Sequence, residues 1–90
     1  MKKIYLMEND LMEIEIIDVL LNTIEKVKKF IKITNVFSCD IYVEQARYTV
    51  DGKSLMGVFS LDLTKPVTVN IASDNEFETR KFLELMEEFR

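Results

Sequence analysis

The sequence predicts an α+β fold, an open-faced β-sandwich in which a four-stranded sheet carries three helices on one face. Apolar and polar residues alternate in four short segments, whereas apolar residues recur at helical spacing in three others. The order strand, helix, strand, strand, short helix, strand, helix is typical of a split βαβ arrangement. A chain of 90 residues is long enough for one hydrophobic core and too short for two, so we expect a single domain over residues 12–90.

The first predicted strand spans residues 12–20, with the sequence MEIEIIDVL. Apolar and acidic residues alternate at its start, with Met12, Ile14 and Ile16 on one side and Glu13 and Glu15 on the other. A helix is the competing interpretation, because apolar residues also recur there at a 3.6-residue period if one polar position is allowed. Residues 1–11 are expected to form either a disordered tail or an extra edge strand.

The first predicted helix spans residues 23–34. Asn22 precedes it and Glu25 follows three residues later, which resembles a capping box with Asn22 as the N-cap. Apolar or small side chains recur within it at helical spacing, at Ile24, Val27, Ile31 and Thr34.

The middle of the chain predicts a hairpin and a short helix. Residues 39–44 and 46–51 alternate as two strands, although the turn near Gln45 and Ala46 lacks a glycine. Cys39 falls on the inward side of the first of these strands, which favours a buried structural thiol over a nucleophile. Ser54 can cap a short helix that contains Gly57 near its middle.

The last two predicted elements are a strand after Pro66 and a C-terminal helix. The strand alternates through Val67, Val69 and Ile71. Three residues are candidate N-caps for the helix: Ser73, Asp74 and Asn75. Its apolar side consists of Phe82, Leu85, Met86 and Phe89.

Composition and charge exclude several classes of function. A net charge of −4 and a pI near 4.8 argue against a nucleic-acid partner, because phosphate backbones require clustered positive charge. The one basic cluster spreads around most of the first helix, as expected of a solvated surface: Lys26, Lys28, Lys29 and Lys32. No apolar stretch is long enough to cross a membrane and no export signal is evident, so a cytoplasmic location is expected.

Metal and nucleophile chemistry also lack support in the sequence. The chain contains no histidine, and its single cysteine cannot form an internal disulfide. The acidic residues do not follow the spacing of a calcium loop, and there is no glycine-rich phosphate loop. We therefore expect neither a metal nor another cofactor.

Residues 53–61, KSLMGVFSL, resemble the short second helix of HPr, the histidine phosphocarrier protein of the sugar phosphotransferase system. The similarity extends over about residues 12–90 and implies the HPr fold. At the position of the phosphocarrier histidine this chain has Thr23. Glu25 replaces the arginine that assists it, and Lys26 replaces the proline at the helix start. The resemblance therefore implies a degenerate member that does not carry phosphate on histidine and is not an enzyme.

The same resemblance indicates where a remaining function would lie. Leu55, Met56 and Phe59 match the apolar patch by which HPr-like proteins dock onto partners. Lys28, Lys29 and Lys32 of the first helix would extend that surface. The implied partners are a phosphotransferase-system component, the HPr kinase or a transcriptional regulator.

Ser54 matches the serine that a dedicated kinase phosphorylates in Gram-positive members of the family to signal carbon status. The alternative is that Ser54 only caps the short helix, since serine is a common N-cap residue. Two other functions remain open at this point. One is a phosphocarrier that uses an acceptor other than histidine. The other is a small-molecule-binding domain of the same topology, for which the sequence supplies neither a glycine turn nor a convergent polar pocket.

Overall fold

The computed structural model describes the backbone of residues 2–7 and 10–90, and the side chains from residue 14 onward. Its strands are β1 (Lys2–Met7), β2 (Asp10–Val19), β3 (Asp40–Gln45), β4 (Tyr48–Asp51) and β5 (Val67–Ser73). Its helices are α1 (Ile24–Thr34), α2 (Leu55–Phe59) and α3 (Glu76–Met86), and a 3-10 turn (Glu87–Phe89) follows α3.

The strands form one antiparallel sheet in the order β1-β2-β5-β3-β4. The predicted fold class is confirmed, because the helices pack on one side of an open sheet. Strand β1 adds a fifth strand to the four that were predicted, and it pairs with the first part of β2 from Lys2↔Glu15 to Met7↔Asp10.

The core lies between the sheet and the helices. The strands contribute mainly β-branched residues, among them Val43, Val69 and Ile71, all buried. Helix α1 contributes Phe30 and helix α3 contributes Phe82, which are fully buried and meet other aromatic rings edge-on: Phe30 with Phe89 at 6.1 Å and Phe37 with Phe82 at 5.4 Å between ring centres. These contacts join α1 to the 3-10 turn and α3 to the segment between α1 and β3.

The apolar residues of the alternating pattern in β2, Ile14 and Ile16, are not the ones that face the core. Val19 is fully buried and Ile17 packs against the core, whereas Ile14 and Ile16 lie on the opposite side of the sheet. The register explains this, because Ile17 pairs with buried Val69 and paired residues share a side. Glu15, from the acidic side of the predicted pattern, pairs with buried Ile71 and therefore lies on the side that the helices cover.

The helix N-caps agree only partly with the sequence prediction. Asn22 is not the N-cap of α1, because Thr23 has the extended backbone of a cap and its side chain accepts from the Lys26 backbone N–H. Asn75 is the N-cap of α3, and its side chain accepts from the backbone N–H groups of Phe77 and Glu78. Capping by Ser54 is confirmed.

The β3–β4 hairpin is present with a two-residue turn between Gln45 and Tyr48. Ala46 in that turn has φ of 54°, in the left-handed region that a glycine adopts at lower cost. The turn thus forms without the glycine that makes such turns recognisable in a sequence. Among the residues that the structure describes, no helix is both long and apolar enough to span a bilayer.

Candidate functional site

The N-terminus of α1 contains the three residues predicted to replace the phosphate-handling group. Thr23 is exposed, and its Oγ1 atom accepts a hydrogen bond from the Lys26 N–H at 3.1 Å. The Lys26 ammonium donates to Asn22 Oδ1 at 3.1 Å. Glu25 is exposed in the first turn, where its negative charge is favourable beside the free backbone N–H groups.

This arrangement is that of a capped helix start. The Thr23 hydroxyl acts as an acceptor toward the backbone, and the nearest described cation is held by a side-chain amide. An incoming phosphate would meet the Glu25 carboxylate at the same turn, and like charges repel. The local charges therefore do not favour phosphate at Thr23.

Ser54 occupies the N-cap of α2. Its Oγ atom accepts from the Gly57 N–H at 3.1 Å, and its own N–H donates to the Asp51 carbonyl at 3.1 Å. A Cβ atom at Gly57 would lie 3.3 Å from both Cβ and Oγ of Ser54, so a glycine leaves room for the capping side chain. Gly57, near the middle of this short helix, thus allows the cap to form.

The start of α2 is attached to the C-terminal end of α1. The hydroxyl of buried Thr34 donates to the Gly52 carbonyl at 2.9 Å, and the Asn35 amide donates to the Lys53 carbonyl at 3.1 Å. Since α1 has 11 residues, about 16 Å of helix separates Ser54 from the Thr23 end. The two family positions therefore lie at opposite ends of α1.

The apolar residues of α2 divide between core and solvent. Val58 is fully buried, whereas Leu55, Met56 and Phe59 are 39%, 80% and 42% exposed. We call these three exposed side chains the short-helix surface. The structure brings all three predicted docking residues together on one short element that is held at its start by hydrogen bonds to α1.

The predicted lysines of α1 have different surroundings. The Lys29 ammonium pairs with the Glu88 carboxylate at 2.7 Å, which ties α1 to the 3-10 turn. Lys28 and Lys32 are exposed and lie one helical turn apart on the same side of α1. Lys28 and Lys32 are therefore free to meet a partner, whereas Lys29 has an intramolecular one.

Cys39 immediately precedes β3 and is half-buried against the core. Burial, together with a hydrogen bond to Glu78 and the charge of that carboxylate, raises the pKa of the thiol to about 12. A thiol that stays protonated at neutral pH is a poor nucleophile and a poor metal ligand. Within the described residues, no cluster of three or more cysteine or acidic side chains could hold a metal ion.

None of the predicted site residues belongs to the centre of the side of the sheet that faces away from the helices. Asn70 lies there at the centre of β5, only 8% exposed, and its Nδ2 atom is buried without a hydrogen-bond partner. Alternation with Val69 and Ile71 could have placed Asn70 on that side. Its burial could not have been foreseen, because it depends on the residues of the neighbouring strands.

Comparisons with known proteins agree with this fold. The chain superposes on the crystal structure of HPr-C-His from Thermoanaerobacter tengcongensis with a TM-score of 0.65 and 22% identity, covering 82% of this chain and 92% of that one. A family model described as the PTS HPr component phosphorylation site matches residues 24–90. A comparison with curated proteins finds no match.

The matched region covers most of the chain, and the protein therefore belongs to the HPr family of the phosphotransferase system. Members of this family are phosphocarriers that interact with other proteins of the system and are not classical enzymes. The match begins at Ile24, so Thr23 lies just outside it.

Proposed function

We propose that this protein is a non-catalytic interaction module of the phosphotransferase system that binds a partner protein through the short-helix surface. The observation that carries the proposal is the combination of a chain without histidine and an apolar α2 surface that is exposed and held in place. Without histidine, the chain lacks the phosphate acceptor that the family uses. The exposed α2 surface is suited to binding a partner protein.

The absence of phosphate relay follows from the chemistry of the candidate acceptor. Histidine forms a phosphoramidate energetic enough to pass its phosphoryl group on, whereas threonine would form a stable ester. The Lys26 ammonium, which could hold a phosphate, donates instead to Asn22 Oδ1. A protein labelled at Thr23 would hold phosphate and not transfer it.

The chemistry of the short-helix surface defines the partner. Met56 and Phe59 supply a flexible and a rigid apolar side chain, a combination suited to adaptable protein contacts. Lys28 and Lys32 place positive charge on the neighbouring helix. The expected partner surface is an apolar groove with acidic residues at its rim, on a phosphotransferase-system component, the HPr kinase or a transcriptional regulator.

Ser54 supplies a regulatory input to the same surface. Phosphorylation would add about two negative charges next to Leu55 and Met56, which changes the electrostatic potential of the surface without requiring a new fold. Its N-cap role does not exclude this modification, since phosphate oxygens can also accept from the N–H groups of a helix start.

The first test measures binding of purified HPr kinase and phosphotransferase-system components to the protein. We expect Met56→Asp and Phe59→Asp to weaken binding at least about tenfold, because each inserts a charge into an apolar contact. The control is Phe77→Asp, which changes an equally exposed apolar residue on α3. Equal binding by all three variants and the wild type would contradict the proposal.

The second test is incubation with enzyme I and labelled phosphoenolpyruvate. We expect no incorporation in the wild type, and label that disappears in Thr23→Ala would instead establish a phosphocarrier with a non-histidine acceptor. Incubation with the HPr kinase and ATP tests Ser54 in parallel. Label in the wild type that is lost in Ser54→Ala supports regulation, and an unlabelled wild type leaves Ser54 as a cap only.

A further inference from the structure

The side of the sheet that faces away from the helices, here called the open face, has a defined pattern of residues. Its central row runs across the strands through Ile16, Asn70 and Tyr42 to Asp51. One flanking row contains Asp18, Thr68 and Glu44, and the other contains Ile14, Ala72 and Asp40. The open face therefore has partly buried apolar residues and an amide near its middle, with carboxylates around them.

The carboxylates of the open face outnumber the cations near it. Strands β2 to β5 contain no lysine or arginine. In β1, Lys3 pairs with Ile14 and therefore lies at the edge of the open face, three strands from Asp40. Arg90 borders the cleft beside Asp18 and Glu44 and pairs with Glu87. Asp18 accepts from the Thr68 hydroxyl at 2.7 Å and Asp51 from the Lys53 backbone N–H at 2.9 Å. Asp40 and Glu44 are also exposed, and none of the four carboxylates forms an ion pair with another described residue. The open face is consequently a region of negative potential.

Asn70 supplies a second and independent observation at the centre of this face. Its side chain is more than nine-tenths buried, and Nδ2 has neither a hydrogen-bond partner nor solvent contact. Its neighbours across the strands are Ile16 and Tyr42, of which Tyr42 is 43% exposed. A buried donor without a partner is unfavourable, and an acceptor brought by a ligand would remove that cost.

We propose that the open face binds a cationic, amphipathic peptide segment of a partner protein. Lysine or arginine side chains of the segment pair with the carboxylates, its apolar side chains cover Ile14 and Ile16, and one of its peptide carbonyls accepts from Asn70 Nδ2. A polyamine or a metal ion would satisfy the carboxylates and would offer no acceptor to the amide. Because only the peptide also brings a carbonyl acceptor, the Asn70 amide favours a cationic peptide over a polyamine or a metal ion as the ligand.

The spacing of the carboxylates sets the size of the segment. Asp18 and Glu44 lie in one row on strands two apart, about 10 Å from each other across the sheet. Asp40 lies four residues before Glu44 along β3, about 13 Å away. A segment of about five extended residues spans these distances, with basic residues near both ends and an apolar residue between them.

This site is separate from the short-helix surface. The open face and α2 lie on opposite sides of the sheet, so a peptide on one does not contact the other. A negative binding result at one of the two sites therefore does not count against the other site. The variants of the two tests share no residue.

The test is selection of a random dodecapeptide phage library against the full-length protein, followed by binding measurements on the synthesised peptides. We expect the selected peptides to carry a net positive charge and at least one large apolar residue. Amide chemical shifts should then change in β2, β3 and β5 when such a peptide is added. Selected peptides that are neutral or acidic, or that shift only α1 and α2, would overturn the proposal, as would a selection that enriches nothing.

Matched variants separate specific pairing from general attraction. Asp40→Asn/Glu44→Gln should weaken peptide binding at least about tenfold, because it removes two of the pairing carboxylates. Glu76→Gln/Glu84→Gln changes the net charge by the same amount at two exposed residues of α3, on the helix side of the sheet, and should change binding less than about twofold. Equal losses in both double variants would show nonspecific attraction and would contradict the proposed site.

Asn70→Val tests the hydrogen bond at the centre of the site. The variant removes the donor and keeps a residue that fits a strand, so it should fold and still bind the peptide several-fold more weakly than the wild type. Unchanged affinity in a folded Asn70→Val protein would exclude the carbonyl contact and with it the peptide-specific part of the proposal.

Discussion

The two sides of the sheet differ in whether their buried polar groups have hydrogen-bond partners. On the helix side, the buried Thr34 hydroxyl has its single proton between two acceptors, the Gly52 carbonyl at 2.9 Å and the Ile31 carbonyl at 3.0 Å, and apolar side chains surround it. On the open face, Asn70 Nδ2 is buried without a hydrogen-bond partner among the described residues, and the carboxylates around it form no ion pair with another described residue. Polar groups of the helix side form hydrogen bonds within the protein and so contribute to its stability. The open face retains polar groups without such partners, to which a ligand can bind.

The largest expected contrast between the two sides comes from aromatic truncation. Phe82→Ala should lower the free energy of unfolding by about 3–5 kcal/mol, because the side chain is fully buried and packs edge-on against Phe37. Tyr42→Ala on the open face should cost about 1 kcal/mol or less, since its ring is partly solvated. Urea unfolding followed by circular dichroism measures both. Similar losses would remove the distinction between a packed and an open side.

Thr34→Val addresses the satisfied polar group of the helix side. Valine has nearly the shape of threonine, so the change deletes the hydrogen bonds without opening a cavity. We expect a loss of about 1–3 kcal/mol, because the Gly52 carbonyl is left buried beside an apolar methyl group. The same urea titration gives the value, and an unchanged midpoint would mean that this hydrogen bond contributes nothing net.

The matching change on the open face has the opposite sign. Asn70→Val should raise the free energy of unfolding by about 1 kcal/mol, since it removes a buried donor without a partner and adds a strand-forming residue. Thr34→Val and Asn70→Val therefore form a pair in which one polar-to-apolar change destabilises and the other stabilises. A loss of stability in Asn70→Val would show that the amide is satisfied in solution.

Cys39 adds a pH-dependent contribution at the edge of the core. Its pKa is raised in the folded protein to about 12, above the ordinary value of 9.0, so the folded state binds the thiol proton more tightly than the unfolded state does. The resulting stability is present below pH 9 and is lost as the pH rises toward 12. Thermal unfolding over this range should show a steeper decline in the wild type than in Cys39→Ala. Parallel pH profiles would contradict the shift.

The smallest expected effect concerns the acidic rim of the open face. Asp40→Asn/Glu44→Gln should change the free energy of unfolding by no more than about 0.5 kcal/mol, because both carboxylates are exposed. The double substitution should raise the free energy of unfolding at low ionic strength, where repulsion among the carboxylates is least screened. This stabilisation should vanish near physiological salt. Thermal unfolding at two salt concentrations, with Glu76→Gln/Glu84→Gln as the control, measures the difference.

Local patterns predicted the elements well and their surroundings less well. The periods of two and 3.6 residues located the strands and helices to within a few positions, and the side chain of Ser54 identified the start of α2. The capping error at Asn22 arose because two adjacent polar residues can each cap a helix, and backbone geometry decides between them. The similarity of residues 53–61 to HPr indicated the family before the fold was known.

The sequence by itself determined the fold class, the order of the elements from β2 to α3 and the absence of a histidine acceptor, because each depends on local periodicity or on composition. Only the tertiary structure decided that Ile14 and Ile16 face away from the helices and that Asn70 is buried without a partner. Alternation along a strand divides residues between two sides and does not say which side the helices cover. That choice depends on register with β5 and on packing by residues far away in the chain, and it creates the open face at which we place the peptide site.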